Sequence, residues 1–304
     1  MVEHISKILR YTQFGHSQFD FIDINVLDDQ KLFIDPCLIS TQQDAWCTTA
    51  TVVMDDFFDK FYEAYRNNDN EKKNYLLSHA SELNYTRLGY GNGDNGHGNT
   101  AEGLISTFIT LENFVDNIPY LTKAMDLPLY VPGFSEDGLS DMLTNILHEQ
   151  LNNYTLEQLA LANAVPNSED TFYTWDVTTS SWITVTRPCY RYLGTDKVLL
   201  TPKRIVRKKY FFGVNQFLMR IILERAKNET AYTNEKGKTR FRTTKKALKN
   251  AIPKENNNWR YTYTKGISED DPTYVRDYHN AIPNFYINKG MTDSELDDFI
   301  YKYD

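Results

Sequence analysis

The sequence predicts a mixed α+β fold in which β-hairpins pack with several amphipathic helices, and not a doubly wound sheet. Three observations carry that expectation. Short alternating or apolar runs bounded by turn residues read as strands. Apolar residues recurring at spacings of three and four read as helices. The two types follow one another without the regular strand–helix alternation of a parallel sheet.

Taken in order, "FDFIDINV" alternates apolar and polar residues and "KLFI" follows an Asp-Asp turn, so residues 19–34 predict a hairpin released at Asp35-Pro36. "TVVMDDFFDKFYEAYRNN" sets Val53, Phe57, Phe58, Phe61 and Tyr65 on one helical stripe, which the polar run "NNDNEKKN" ends. The glycine cluster "GYGNGDNGHGNTAEG" (89–103) precedes a third apolar periodicity at Leu104, Phe108, Leu111 and Phe114. "GFSEDGLSDMLTNILHEQLNNYTLEQLALANAV" reads as two helices, with Thr155-Leu-Glu-Gln158 as a capping box opening the second. "TFYTWDVTTSSWITV" predicts a hairpin with Trp175 and Trp182 flanking its turn, "KVLLTP" a short buried strand, and "FFGVNQFLMRIILERAK" a helix. A terminal helix capped at Thr292-Asp-Ser-Glu295 closes the chain.

The net charge of -8 over 304 residues hides a segregation. Residues 1–202 carry 12 Lys+Arg against 28 Asp+Glu, residues 203–265 carry 18 against 4, and residues 266–304 carry 3 against 9. This suggests an acidic α+β core over 1–202, a basic, aromatic-containing extension with a helix over 203–265, and an acidic C-terminal tail and helix over 266–304. A basic block between acidic ones predicts either a polyanion-binding surface or an electrostatic clamp. Cys37, Cys47 and Cys189 lack the paired spacing of a zinc site and read as buried small hydrophobes in a reducing, cytoplasmic setting. No stretch reaches the roughly 20 apolar residues of a membrane span, so no membrane partner is expected.

The glycine cluster lacks the Gly-Lys-Ser/Thr ending of a phosphate loop, the preceding strand of a dinucleotide fingerprint and the alternating acids of a calcium loop. What remains is a mobile surface lid, or an anion-binding loop in which Gly96 and Gly98 free backbone amides beside His97 and Asn99. On "SEDGLSDMLTNILHE", Asp137, Asp141 and Asn145 lie one turn apart, flanked by Thr144 and His148. That stripe is either an ordinary solvated face or a pair of carboxylates whose repulsion a magnesium or manganese ion relieves, with Glu102, Glu82 or Asp35 as a third ligand. Lys203, after the strand "KVLLTP", stands where restriction-type nucleases place a lysine that stabilises the transition state. Their Glu-x-Lys reads Thr201-Pro-Lys203 here. In the basic segment, Arg240, Arg242, Lys245 and Lys246 are candidate phosphate ligands, and Trp259 and Tyr261 candidate stacking faces.

The segments "LFIDPCLI", "LGYGNGDNGHGNT", "GLSDMLTNILHEQLNNYT" and "VLLTPKRIV", in this order, resemble a family of bacterial proteins of unassigned reaction that is linked with mobile elements and phage defence. The resemblance covers about residues 20–210 and singles out Asp35, Glu82, Asp137, Asp141, Asn145 and Lys203. It implies a role in antiviral defence. The leading expectation is thus a nucleic-acid-binding component of a phage-defence system acting on DNA or RNA, with a divalent-metal-dependent nuclease or phosphodiesterase as its finer form and Asp141 and Lys203 catalytic. The alternatives are a non-catalytic interaction module of a defence or anti-defence assembly, docking a protein partner or a further copy of the chain, and a nucleotide-handling enzyme.

Overall fold

The computed structural model describes residues 3–80, 85–90, 101–134 and 136–302. A single turn, α1 (Ile5–Ile8), leads into an extended, buried segment in which Phe21, Ile22, Ile24 and Val26 are all enclosed. This segment and β1 (Phe33–Ile34) do not form the expected hairpin. Both pair instead with the chain around residue 200: Phe21 bridges Pro202, and β1 runs antiparallel to β5 (Val206–Arg207). The physical reason lies at Asp23, which a one-sided hairpin would leave in water. It is fully buried here, accepting from Ser6 N at 2.8 Å, Ser6 Oγ at 2.6 Å and the Tyr301 hydroxyl at 2.6 Å. A segment enclosed on both faces takes its backbone partners from distant chain.

Asp35 caps α2 (Pro36–Thr41), with proline preset for the first helical position. Asp44 caps α3 (Ala45–Arg66), the 22-residue helix at the centre of the fold. Its predicted stripe, Val53, Phe57, Phe58, Phe61 and Tyr65, is buried throughout. After α4 (Asn70–Leu77) and the glycine-rich region come α5 (Ala101–Phe108), a run of 3-10 turns, α6 (Leu127–Tyr130), α7 (Glu136–Ile146) and α8 (His148–Leu161). Helix α8 starts seven residues before the expected capping box. Thr155 lies inside it, where its hydroxyl donates to Leu151 O at 2.8 Å and accepts from Leu200 N at 2.8 Å.

The second expected hairpin forms as β2 (Ser168–Asp176) and β3 (Ser181–Tyr192), with β4 (Asp196–Val198) added on the far edge of β3. Trp175 and Trp182 stand directly opposite each other and meet Phe57 of α3 with ring centroids 5.0 and 5.6 Å away. Aromatic edge contacts of this kind add about 0.5–1.5 kcal/mol each beyond area burial. The helix expected after residue 211 runs as α9 (Val214–Phe217), a π turn (Leu218–Ile222) and α10 (Leu223–Asn228). Beyond it stand the two-stranded ribbon β6 (Ala231–Thr233) and β7 (Thr239–Phe241), then α11 (Lys245–Ala251), α12 (Trp259–Asp270), α13 (Thr273–Phe285) and α14 (Asp293–Ile300).

One apolar cluster runs from Ile5 to Leu296 and draws on all three charge segments. The acidic tail closes back on the start of the chain: Asp297 of α14 accepts from His16 N at 2.8 Å, and Leu296 is fully buried. The predicted cap of α14 is present as a reciprocal box. Thr292 Oγ1 accepts from Glu295 N at 3.2 Å, and Glu295 Oε2 accepts from Thr292 N at 2.9 Å. Thr292→Ala is expected to lower stability by about 1 kcal/mol, read as a shift in the denaturation midpoint with unchanged slope. All three cysteines are free and buried.

Candidate functional sites

Helix α7 carries the acidic stripe, and its surroundings differ from a solvated face. Ser140, Asp141, Thr144 and Asn145 are buried, and His148 at the start of α8 is enclosed as well. Polar residues hold this helix against β1: Ser140 Oγ accepts from Ile34 N at 3.1 Å, while Thr144 and Asn145 donate back to Ser140 O and Asp141 O at 3.0 Å each. Asp137 packs so closely on Gly89 that a Cβ there would lie 2.7 Å from its Oδ1. Asp137 and Asp141 each have a bonding or electrostatic partner.

Asp35 lies near this helix, but its carboxylate is committed elsewhere. Oδ1 accepts from Cys37 N at 2.9 Å as the α2 cap, and Oδ2 accepts from the Tyr286 hydroxyl at 3.1 Å, joining α2 to the end of α13. Burial raises its pKa to about 6, while the two donors and the more distant Arg207 pull the other way. Beside it, the buried Tyr210 hydroxyl donates to Ile34 O at 2.7 Å and Glu136 O at 3.2 Å. Burial first, then the negative charges of Asp35, Glu136 and Asp141, hold that phenol well above its ordinary range. Tyr210 thus lies within electrostatic reach of Asp35, Glu136 and Asp141.

Glu102 is exposed in the first turn of α5. Among the described residues, no three His, Cys, Asp or Glu side chains stand together as a metal-ligand set. Glu82 and the proposed anion loop, Gly96, His97, Gly98 and Asn99, lie outside the described residues. Lys203 faces the chain termini. Its ammonium donates to His16 O and pairs with Asp293 at 2.8 Å and Asp20 at 3.9 Å, anchoring the first turn of α14.

A second buried polar cluster has no sequence signature. Lys197 of β4, wholly enclosed, donates to Asp170 at 3.0 Å and to His148 Nε2 at 2.8 Å, with its ammonium 3.9 Å from the Phe172 ring centroid. Burial first and Lys197 second push His148 down to about 3, so the imidazole is neutral and accepts. The group ties α8 to the β2–β3–β4 sheet. Only the mid-strand lysine in an otherwise apolar run could have signalled it.

The basic segment divides into two populations. One part is neutralised by the body: Arg204 pairs with Asp44 at 2.8 Å, Arg225 with Asp271 at 2.5 Å and Asp277 at 3.1 Å, and Lys245 with Glu224 at 2.7 Å. The other part stands on the ribbon and α11, where residues 230–251 hold seven Lys/Arg against one Glu. Of these, Lys236, Lys238, Arg240, Arg242, Lys246 and Lys249 make no ion pair among the described residues. Every residue of β6 and β7 is exposed, and α11 has no buried residue.

The ribbon is built for its shape by its turn. Asn234 Oδ1 accepts from Lys236 N and Lys238 N at 3.1 and 3.0 Å, and Gly237 adopts φ +71°, the left-handed position of a three-residue hairpin loop. Strand alternation then puts Lys238, Arg240 and Arg242 on one face, spaced about 6.7 Å apart. Tyr232, 44% exposed, lies directly opposite Arg240 and shares that face. Phe241 is equally exposed on the reverse, beneath the Lys227 ammonium. Trp259 does not offer an open stacking face: it is 9% exposed, packed in the core with the Arg260 guanidinium 4.6 Å from its ring centroid. Tyr261 is half-buried in a cleft. Of the two aromatic candidates, Trp259 is thus enclosed, and Tyr261 lies in a cleft apart from the ribbon.

No helix among the described residues is long and apolar enough to cross a membrane. No curated protein and no solved structure matches the chain. A family model described as a domain of unknown function, DUF8370, matches residues 13–212, from the buried N-terminal segment to the chain just after β5, and leaves the ribbon and α11 to α14 outside its span. The chain belongs to this DUF8370 family.

Proposed function

We propose that this protein binds nucleic acid through the β6–β7 ribbon and α11, as a component of a prokaryotic phage-defence system. The observation that carries the binding is the set of six ion-pair-free cations on an arm with no buried strand residue. Folding does not need these charges, and their mutual repulsion costs stability that a polyanion offsets. The defence setting is supported by the four sequence segments between residues 20 and 210 that resemble, in the same order, those of defence-linked proteins. Magnesium- or manganese-dependent phosphodiester hydrolysis is the finer form of this reading. At Asp137 and Asp141 it requires a third ligand from outside the described residues, such as Glu82. An Asp141→Ala protein that retains full metal-dependent cleavage excludes Asp141 from that role.

The test of binding is its salt dependence. A ribbon that contacts about five phosphates gives a log–log slope of affinity against salt between about -3.5 for single strands and -4.5 for duplex. Binding to neither DNA nor RNA at about 50 mM salt would instead assign the arm to an acidic protein partner. Pairing of Lys245 with Glu224 shows that parts of this segment already dock on carboxylates.

A further inference from the structure

Beyond α11 the chain enters a cleft of about 570 Å³. Its walls come from Thr110, Asn113 and Phe114, from Tyr130 and Pro132, and from residues 256–258, Tyr261, Thr262 and Lys265. A smaller hollow lined by Ile252, Pro253 and Glu255 shares Asn256 and Thr262 with it and adjoins it on the side of α11. The size suits one nucleotide, since small-molecule sites measure roughly 300–1,000 Å³.

The rim of the cleft carries exposed amides. Three successive asparagines precede α12, and the loop needs the side chain of one: Asn256 Oδ1 accepts from Asn258 N at 2.8 Å. The side chains of Asn257, Asn258 and Asn113 across the cleft form no hydrogen bond among the described residues. Each amide presents both donors and an acceptor, the mixture found along the edge of a base. Phe114 and Tyr130 back the cleft as buried rings, a 2.7 Å hydrogen bond between the Tyr130 hydroxyl and Ser268 Oγ fixing the latter, and the half-buried Tyr261 is the aromatic wall that remains open. Lys265 adds a cation, 5.6 Å from the Phe114 ring centroid.

A neutral sugar would also accept amides and an aromatic wall. Lys265 and the cleft's position next to the basic α11 favour an anionic ligand with a planar ring. We propose that this cleft takes one unstacked nucleotide of the strand held by the ribbon, its base against Tyr261, its edge on Asn113, Asn257 and Asn258, and its phosphate at Lys265. The inference rests on the nucleic-acid reading above and names the element that distinguishes single strands from duplex, because a paired base cannot enter. Base stacking on an aromatic wall is the sequence-tolerant part of such binding.

The experiment uses the full chain, a single-stranded deoxythymidine dodecamer carrying one 2-aminopurine, and adenosine 5′-monophosphate. The wild-type protein is expected to quench the 2-aminopurine and to show saturation transfer to the adenine protons of the mononucleotide. An Asn257→Ala/Asn258→Ala protein, with Asn256 retained and its melting temperature unchanged, is expected to lose both signals at least tenfold while holding the dodecamer within about threefold. Lys265→Ala is expected to weaken the mononucleotide alone. Dodecamer binding with no quenching and no mononucleotide signal overturns the cleft and leaves the ribbon standing. A mononucleotide signal without dodecamer binding supports the cleft and overturns the ribbon. Equal signals in wild type and the double variant, or displacement of the mononucleotide by a neutral oligosaccharide, overturn the assignment of the cleft to a nucleotide.

Discussion

Replacing Lys238, Arg240, Arg242 and Lys246 together by alanine is expected to lower affinity for single-stranded nucleic acid by on the order of a hundred- to a thousandfold at about 0.1 M salt. Each phosphate contact on a single strand releases about 0.7 of a counterion, so four lost contacts also flatten the log–log salt slope by about 3. The four positions are exposed and make no ion pair, so the melting temperature should stay within the scatter of surface substitutions. Lys245 is left in place because its ammonium already faces Glu224. Lys245→Ala alone should therefore change affinity little. Equal loss from Lys245→Ala and from Arg240→Ala would mean that the arm acts through its seat on α10 and not through its free face. Tyr232→Ala adds a separate signature: it should weaken single strands more than duplex, since only an unpaired base can lie on the ring beside Arg240.

Elements whose own residues decide them were legible in the sequence. The α3 stripe is one: Phe57, Phe58, Phe61 and Tyr65 recur at helical spacing and are all buried. The Trp175–Trp182 hairpin and the Thr292 cap are equally local, set by turn and cap chemistry within a few residues. The first hairpin failed because its alternation was honoured only in part. Asp23 looked like the polar face of a strand, but it is the buried acceptor for Ser6 and Tyr301, nearly 300 residues from one another in sequence. No local window reports such a partner. Helix α13 was readable in retrospect, with Tyr274, Val275, Tyr278 and Ile282 on one buried stripe, and Pro283 near its end masked it. The acidic stripe on α7 had the right period and the wrong environment. Spacing gives the face of a helix, whereas what covers that face depends on β1 and on Tyr210, 69 residues further along the chain than Asp141.

Asp35→Asn is expected to remove a pH dependence of stability worth about 3 kcal/mol. The folded carboxyl sits at about 6 where an unfolded aspartate sits at 3.8, chiefly because burial penalises its charge. Between those values the folded protein holds a proton that the unfolded chain releases. The stability linked to this group is therefore fully present below about pH 4 and is lost as the pH rises through 6, at about 1.4 kcal/mol per unit of separation. Asparagine keeps the α2 cap, since its carbonyl can still accept from Cys37 N, and it carries no charge to bury. Near pH 4 the two proteins should unfold at similar denaturant concentrations, and by pH 8 the variant should be the more stable by up to about 3 kcal/mol. Other carboxylates titrate over the same interval, so the difference between the two stability curves isolates Asp35. Parallel curves from pH 4 to pH 8 would show that Tyr286, Cys37 N and Arg207 compensate the buried charge in full.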